Sequence, residues 1–198
     1  MKNRTLLIFL LMIIMLAVYV AGSFVWDYER LSTVVATAVA AMGIFGVWFQ
    51  LRKEATIKEA EFLMNFNFTF ITTEKFVSIE HQLEKAYKTG KPLELAEEKR
   101  QDLIDYLVYL ESLAPLVMNK MVRLSVIDDL FGYRYFIAVN NKDVQALELC
   151  TEEDAPFYRG CYKLYPVWKK YRKNKRLPIP LEENGLDRHA MYARIISD

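Results

Sequence analysis

Two long uncharged stretches open the chain, and a patterned remainder follows. No side chain from Thr5 to Trp26 is charged, and none from Leu31 to Leu51. At about 1.5 Å per residue each run spans roughly 30 Å as a helix, the thickness of a bilayer's hydrocarbon core. Lipid offers the backbone no hydrogen-bond partner, so both runs are expected as helices. Asp27, Tyr28, Glu29 and Arg30 form the short connection between them. The rival reading of the first run is a signal peptide. Its apolar stretch is long for that role, and Ala21-Gly22-Ser23 is a weak cleavage context. The second run anchors the chain in either case.

Beyond Leu51 the apolar positions recur at helical spacing. The second membrane helix is expected to continue through Arg52–Phe62, because neither Gly nor Pro interrupts it there. Phe62, Phe66 and Phe70 recur every four residues, although Phe66, Phe68 and Phe70 also alternate as a strand would; the helix-forming flanks favour helix. Thr72-Thr73-Glu74 reads as a capped break. A second piece runs through Phe76, Ile79, Leu83 and Tyr87 to a stop at Gly90 and Pro92. From Leu93 to Val117 the stripe Leu103, Leu107, Leu110, Ala114 predicts another helix, kinked or ended near Pro115. Ser125 resembles an N-cap for a helix to about Val139, stopped by Asn140-Asn141. A short helix at Asp143–Leu149 follows. Thr151 and Asp154 then mark the entry to a helix from Pro156 to about Lys175, with a kink or break expected at Pro166. Pro178 and Pro180 make the tail from Leu177 mostly irregular, with a last turn near Tyr192–Ile196. The expected fold class is all-α, a two-helix transmembrane hairpin followed by a small helical bundle. Its divisions are a hairpin over 1–51 (helices about 5–26 and 31–51), a helical domain over 52–176 and a tail over 177–198.

Charge sets the orientation. Lys2 and Arg4 flank the first run and Arg52, Lys53 and Lys58 follow the second, whereas the connection has one Arg against two acids. Cationic loops stay inside, so both termini are expected in the cytoplasm. Trp26, Tyr28 and Trp48 suit the interfacial belts. Asn67-Phe68-Thr69, formally a glycosylation sequon, would then not meet that machinery. The whole chain has 26 basic and 25 acidic residues. Removing Lys2, Arg4 and Arg30 from the first count and Asp27 and Glu29 from the second leaves the two equal. That neutrality makes nucleic acid an unexpected partner. Cys150 and Cys161 are expected as reduced thiols. With His81 and His189 the only histidines, no zinc site is expected.

Candidate chemistry is sparse. Glu111 falls among Ile104, Leu107 and Ala114, and Arg134 shares a face with Ile127, Leu130 and Ile137. A lone buried charge is costly, so these two are expected to meet as a structural ion pair. Asp128 and Asp129 are adjacent, so on a helix they diverge by about 100° and do not jointly grip an ion. Lys163, Lys169, Lys170, Arg172, Lys173, Lys175 and Arg176 crowd one segment without an acid. Tyr158, Tyr162 and Tyr165 share a face there, with Trp168 and Tyr171 drifting off it. A core-facing aromatic stripe beside a solvated helix end is the leading reading, and contact with anionic lipid headgroups the leading functional one. Ser32, Ala36, Ala40 and Gly43 line one stripe of the second run and suit close helix packing, within the hairpin or between copies. No glycine-rich phosphate loop, HExxH or G-x-S-x-G occurs, and no cofactor is expected.

Two segments carry a resemblance: Tyr106-Leu107-Val108-Tyr109-Leu110-Glu111-Ser112-Leu113-Ala114, and Val126-Ile127-Asp128-Asp129-Leu130-Phe131-Gly132. The pattern resembles a group of uncharacterised bacterial proteins in which a membrane hairpin precedes a small helical domain. That resemblance, covering about Glu59 to Val139, implies a bacterial inner-membrane setting and an all-α domain, and supplies no activity. The functional expectation is a non-enzymatic, membrane-anchored interaction or regulatory protein whose helical domain binds a cytoplasmic protein. The alternative is an oligomerising effector, of the stress or phage-defence type, that perturbs the bilayer. A membrane-tethered enzyme is a third.

Overall fold

A computed structural model of the chain describes Ile13, Ile14, Ala17, Val20 and residues 28–197. These residues are helical or irregular, with no strand among them, as the helical spacing predicts. The chain divides into two units, Met1–Ile57 and Lys58–Asp198, a little beyond the boundary expected at Leu51. The expected first span lies outside the described residues, apart from Ile13, Ile14, Ala17 and Val20, which are helical and exposed.

Helix α1 is unbroken over Tyr28–Thr72, 45 residues, and so begins in the first unit and ends in the second. Its portion Val35–Thr72 contains a window long and apolar enough to cross a membrane, with none of that window buried. Val39, Ile44, Phe45, Val47, Phe49 and Leu51 are each more than half exposed. Such a surface is unfavourable in water and ordinary in lipid. At its end, the Arg52 guanidinium sits 4.1 Å over the Trp48 ring.

Within the second unit, α1 breaks at Thr73, whose extended backbone (φ −79°, ψ 109°) starts α2, Glu74–Thr89. The Thr73 hydroxyl does not cap forward as expected. It donates back to the Thr69 carbonyl at 2.6 Å. Gly90, with φ of +65°, ends α2 in the left-handed conformation that glycine adopts without a Cβ penalty. The predicted helix from Leu93 starts later. Leu93 and Leu95 lie in an irregular strap, with Leu93 N–H held by Asp143 at 2.6 Å, and α3 runs Arg100–Glu111. Ser112 separates it from α4, Leu113–Met118. Pro115 explains the break, since its ring crowds the carbonyl four residues back, that of Glu111.

Helix α5 spans Leu124–Val139 with Arg123, not Ser125, at its N-cap. Asn141 caps the next turn by accepting from Asp143 and Val144 N–H at 2.9 and 3.2 Å. That turn becomes a π turn over Gln145–Leu149. Thr151 and Asp154 form the expected capping pair. It opens a 3-10 turn at Ala155–Tyr158, and α6 follows over Arg159–Lys175. Pro166 lies inside α6 without breaking it. The tail is more ordered than its prolines suggest, with 3-10 turns at Glu182–Asn184 and Leu186–Arg188 and helix α7 at Ala190–Ser197.

Spacing predicts most of the buried positions, although Phe62 and Tyr87, at the ends of their stripes, are exposed. Leu103, Leu107 and Leu110 are wholly buried, as are Phe70, Leu83 and Ile127. Contacts fix the directions. Phe70 lies 5.1 Å from Tyr106 and Phe66 stacks on Tyr109 at 4.1 Å, so α3 runs antiparallel to α1. Arg123 N–H donates to Glu59 at 3.1 Å, and Arg134 donates to Asn67 at 3.2 Å, so α5 runs parallel to it. Tyr165 meets Asn140, Trp168 stacks on Tyr135 at 4.6 Å and Arg172 meets Asp128, so α6 runs antiparallel to α5. One pole of the unit therefore gathers Glu59, the turn at 118–123, the start of α5 and the end of α6.

Candidate functional site

The polar residues the fold buries are the natural place to look for chemistry. Asp128 is 5% exposed. It accepts from Trp168 Nε1 at 2.6 Å and lies 3.1 Å from Arg172 Nε. The guanidinium also packs 5.5 Å from the Phe136 ring centre. Gly132, one turn after Asp128, makes room: a Cβ there would lie 2.5 Å from Asp128 Oδ1 and 3.2 Å from Arg172 Cζ. A buried carboxylate held by an indole and a guanidinium fixes two helices together; it has no free face for a substrate.

A second group centres on Glu148, 1% exposed. It accepts from Arg100 Nε at 2.6 Å and from the Tyr158 hydroxyl at 3.4 Å. A third centres on Asn140, wholly buried. Its amide donates to the Pro180 carbonyl at 2.7 Å, and its oxygen accepts from the Tyr165 hydroxyl at 2.8 Å. Gln145 adds a bond to the Asn184 carbonyl at 2.8 Å. Gly185 fits because a Cβ would lie 2.6 Å from Tyr165 Oη. These bonds lock the tail onto α5 and α6.

The predicted Glu111–Arg134 ion pair does not form. Arg134 pairs with Glu80 at 2.8 Å and lies 5.1 Å over Phe70. Glu111 instead accepts the Gly160 backbone N–H at 2.6 Å. Its carboxylate thus closes the N-terminal end of α6, where unpaired N–H groups and the helix dipole favour an anion. Burial nevertheless pushes the Glu111 carboxyl above its usual value, against the opposing bonds from Gly160 and Cys161 N–H. Equal spacing on two helical faces predicted inward charges correctly but not which would meet.

The basic segment also divides. Arg172 is buried on Asp128, Lys169 binds Asp187 at 2.7 Å, and Lys173 binds Glu182 at 2.7 Å. These three are therefore paired within the fold: α5 supplies the acid for Arg172, and the folded tail supplies those for Lys169 and Lys173. Lys163, Lys170, Lys175 and Arg176 remain exposed. Tyr158, Tyr162 and Tyr165 face the core as expected, and Trp168, expected to drift off that face, is wholly buried with them. On α1, Ala36, Ala40 and Gly43 are exposed, and the Ser32 side chain lies outside what the structure describes.

Cys150 and Cys161 are free thiols, and burial raises both above the usual thiol value. A raised thiol is a poor nucleophile at neutral pH. Burial likewise raises the Tyr158, Tyr162 and Tyr165 phenols. Among the described residues no group of three or more His, Cys, Asp or Glu could hold a metal ion. Asp128–Arg172, Arg100–Glu148 and the Asn140 hub were missed by sequence reasoning. The one available signal was Asp128 four residues before Gly132, a carboxylate followed on the same face by a residue without a side chain.

Comparison with known proteins adds no relative: no family model, no curated protein and no solved structure matches the chain.

Proposed function

We propose that this chain is a membrane-anchored, non-enzymatic interaction or regulatory protein of a bacterial inner membrane. On this reading a two-helix hairpin holds the helical unit in the cytoplasm, with both termini inside. The observation that supports it is α1, whose exposed apolar surface precedes a folded helical unit. The partner is a cytoplasmic protein that covers an apolar face of the unit. Met64, Phe68 and Ile71 offer one, on a single side of α1, with exposures of 72%, 62% and 46%.

A second reading, an oligomerising effector that perturbs the bilayer, draws on the same helix. Exposed small or apolar residues stand at Ala36 and Gly43 and again at Ile57, Met64 and Ile71, a seven-residue repeat interrupted by the polar Gln50, and such spacing suits helix-on-helix association. Reporter fusions after Trp26, after Lys58 and at Asp198 test the anchor. External activity at the first and cytoplasmic activity at the other two is expected; external activity at Asp198 would reverse the topology. In-cell crosslinking from Phe68 then separates the readings, since a heterologous adduct favours the interaction protein and a dimer of the chain the effector.

A further inference from the structure

Two helices of the second unit end in the same unusual way. At the end of α4, Lys120 has φ of +56°, with Met121 N–H bonded to the Leu116 carbonyl at 2.9 Å. At the end of α6, Arg176 has φ of +55°, with Leu177 N–H bonded to the Arg172 carbonyl at 2.9 Å. Both are left-handed helix stops, a position where glycine is usual because it has no Cβ to strain. Each holds an exposed cation instead, and neither cation has an acidic partner. A backbone strained at a residue type that stability does not ask for points to use of the side chain.

Both turns lie at the same pole. The residues 118–123 pack against the start of α1's share of the unit, where Arg123 N–H donates to Glu59. Because α6 runs antiparallel to α5 with Arg172 at the level of Asp128, its last turn continues toward Leu124 and the same pole. Met118 and Met121 flank Lys120 there, 48% and 65% exposed. Glu59 is paired with Arg123 and Asp128 with Arg172. Lys58, Lys120, Arg123, Arg172, Lys175 and Arg176 therefore outnumber Glu59, Glu61, Asp128 and Asp129. Eight residues of chain join Glu59, at this pole, to Leu51, the last residue of the apolar run.

We infer that this pole is a docking surface for an anionic bilayer. Lys120, Lys175 and Arg176 meet lipid phosphate groups, and Met118 and Met121 enter the headgroup layer. The inference rests on the reading of α1 as a membrane anchor. Charge complementarity and continuity with the anchor favour lipid over a second protein, and flexible, polarisable methionine suits a disordered lipid surface.

The test uses the full chain in lipid nanodiscs, with Met121→Cys in a Cys150→Ser background carrying an environment-sensitive fluorophore. Discs of phosphatidylcholine alone are compared with discs containing phosphatidylglycerol, each with a headgroup nitroxide quencher. Quenching is expected in the anionic discs, weakening in high salt and falling about fivefold for each of Lys120→Glu, Lys175→Glu and Arg176→Glu. Lys120→Gly, which suits the left-handed turn, should lower quenching while keeping the fold, and Lys163→Glu should not change it. Quenching that is absent, or equal in both lipids and indifferent to these charges, overturns the docking surface alone. A chain that fails to co-purify with the discs overturns the anchor, and the docking surface with it.

Discussion

The second unit is held together differently on its two sides. Where α1, α2 and α3 meet the first half of α5, Phe66, Phe70, Phe76, Tyr106, Tyr109 and Phe131 form a continuous aromatic cluster, with ring centres 4.1 to 6.1 Å apart in each touching pair. Where α5, α6 and the tail meet, aromatic rings are again present, but they are pinned by buried polar atoms: Asp128, Arg172, Asn140 and Gln145. The first side needs volume filled, and many apolar residues fill a given volume. The second needs particular donors opposite particular acceptors, since each unpaired buried group costs its full desolvation. One side should therefore tolerate redesign and the other should not.

The largest effect is expected from Asp128→Ala, which strands Arg172 uncompensated and should cost about 3–5 kcal/mol. Denaturant titration of the full chain in detergent micelles measures it. Replacing Asp128 and Arg172 together by leucine and methionine should recover part of that loss, because the charge is removed while the Trp168 indole N–H is left without its acceptor. On the aromatic side, Phe70→Leu keeps most of the volume and should cost less than about 1.5 kcal/mol by the same titration. A larger loss there would erase the contrast between the two sides.

Next in size is Asn140→Leu, which removes partners from Tyr165, Pro180 and Leu186 and should cost about 2 kcal/mol. Hydrogen exchange should speed up first at residues 180–186 while α2 and α3 stay protected.

A smaller effect belongs to Glu111. Its carboxyl lies above the ordinary 4.5 because burial disfavours the charge. A raised value means the contribution is complete below pH 4.5 and declines as pH rises through the folded value. Glu111→Gln keeps an acceptor for Gly160 N–H and removes that decline, so the stability of the variant relative to the parent should rise between pH 4 and 7. Asp105 works in the opposite sense: its bonds from Lys75 and Gln101 lower its carboxyl below 3.8, so its contribution is present above that pH and lost as pH falls. The variant-minus-parent difference isolates Glu111 from it. The smallest effect, a gain of about 0.5–1 kcal/mol, is expected for Lys120→Gly, which relieves the left-handed turn.

The same contrast explains how much was legible in sequence. Phe66 and Phe70 on α1, and Leu103, Leu107 and Leu110 on α3, announce their faces through spacing alone, because dispersion asks only that an apolar group point inward. Helix stops at Gly90 and Asn140 were legible through local chemistry. Partner choice was not. Glu111 and Arg134 both point inward, yet Glu111 meets a helix end and Arg134 meets Glu80, and only three-dimensional register decides between such acceptors. The basic run misled for a related reason. Its charge was read against the chain beside it, whereas Glu182 and Asp187 reach Lys173 and Lys169 after the tail folds back. The two prolines that made the tail look irregular say nothing about whether it is held.

The held tail also sets an order of events during synthesis. Tyr165 and Asn140 complete their bonds only with Pro180 and Leu186. At translation rates of 5–20 residues per second, Leu186 is made roughly seven to twenty-seven seconds after Leu51. The apolar run of α1 thus leaves the ribosome long before the side pinned by polar bonds can close. In the nascent chain, the apolar run is exposed first and the tail acts as the final latch.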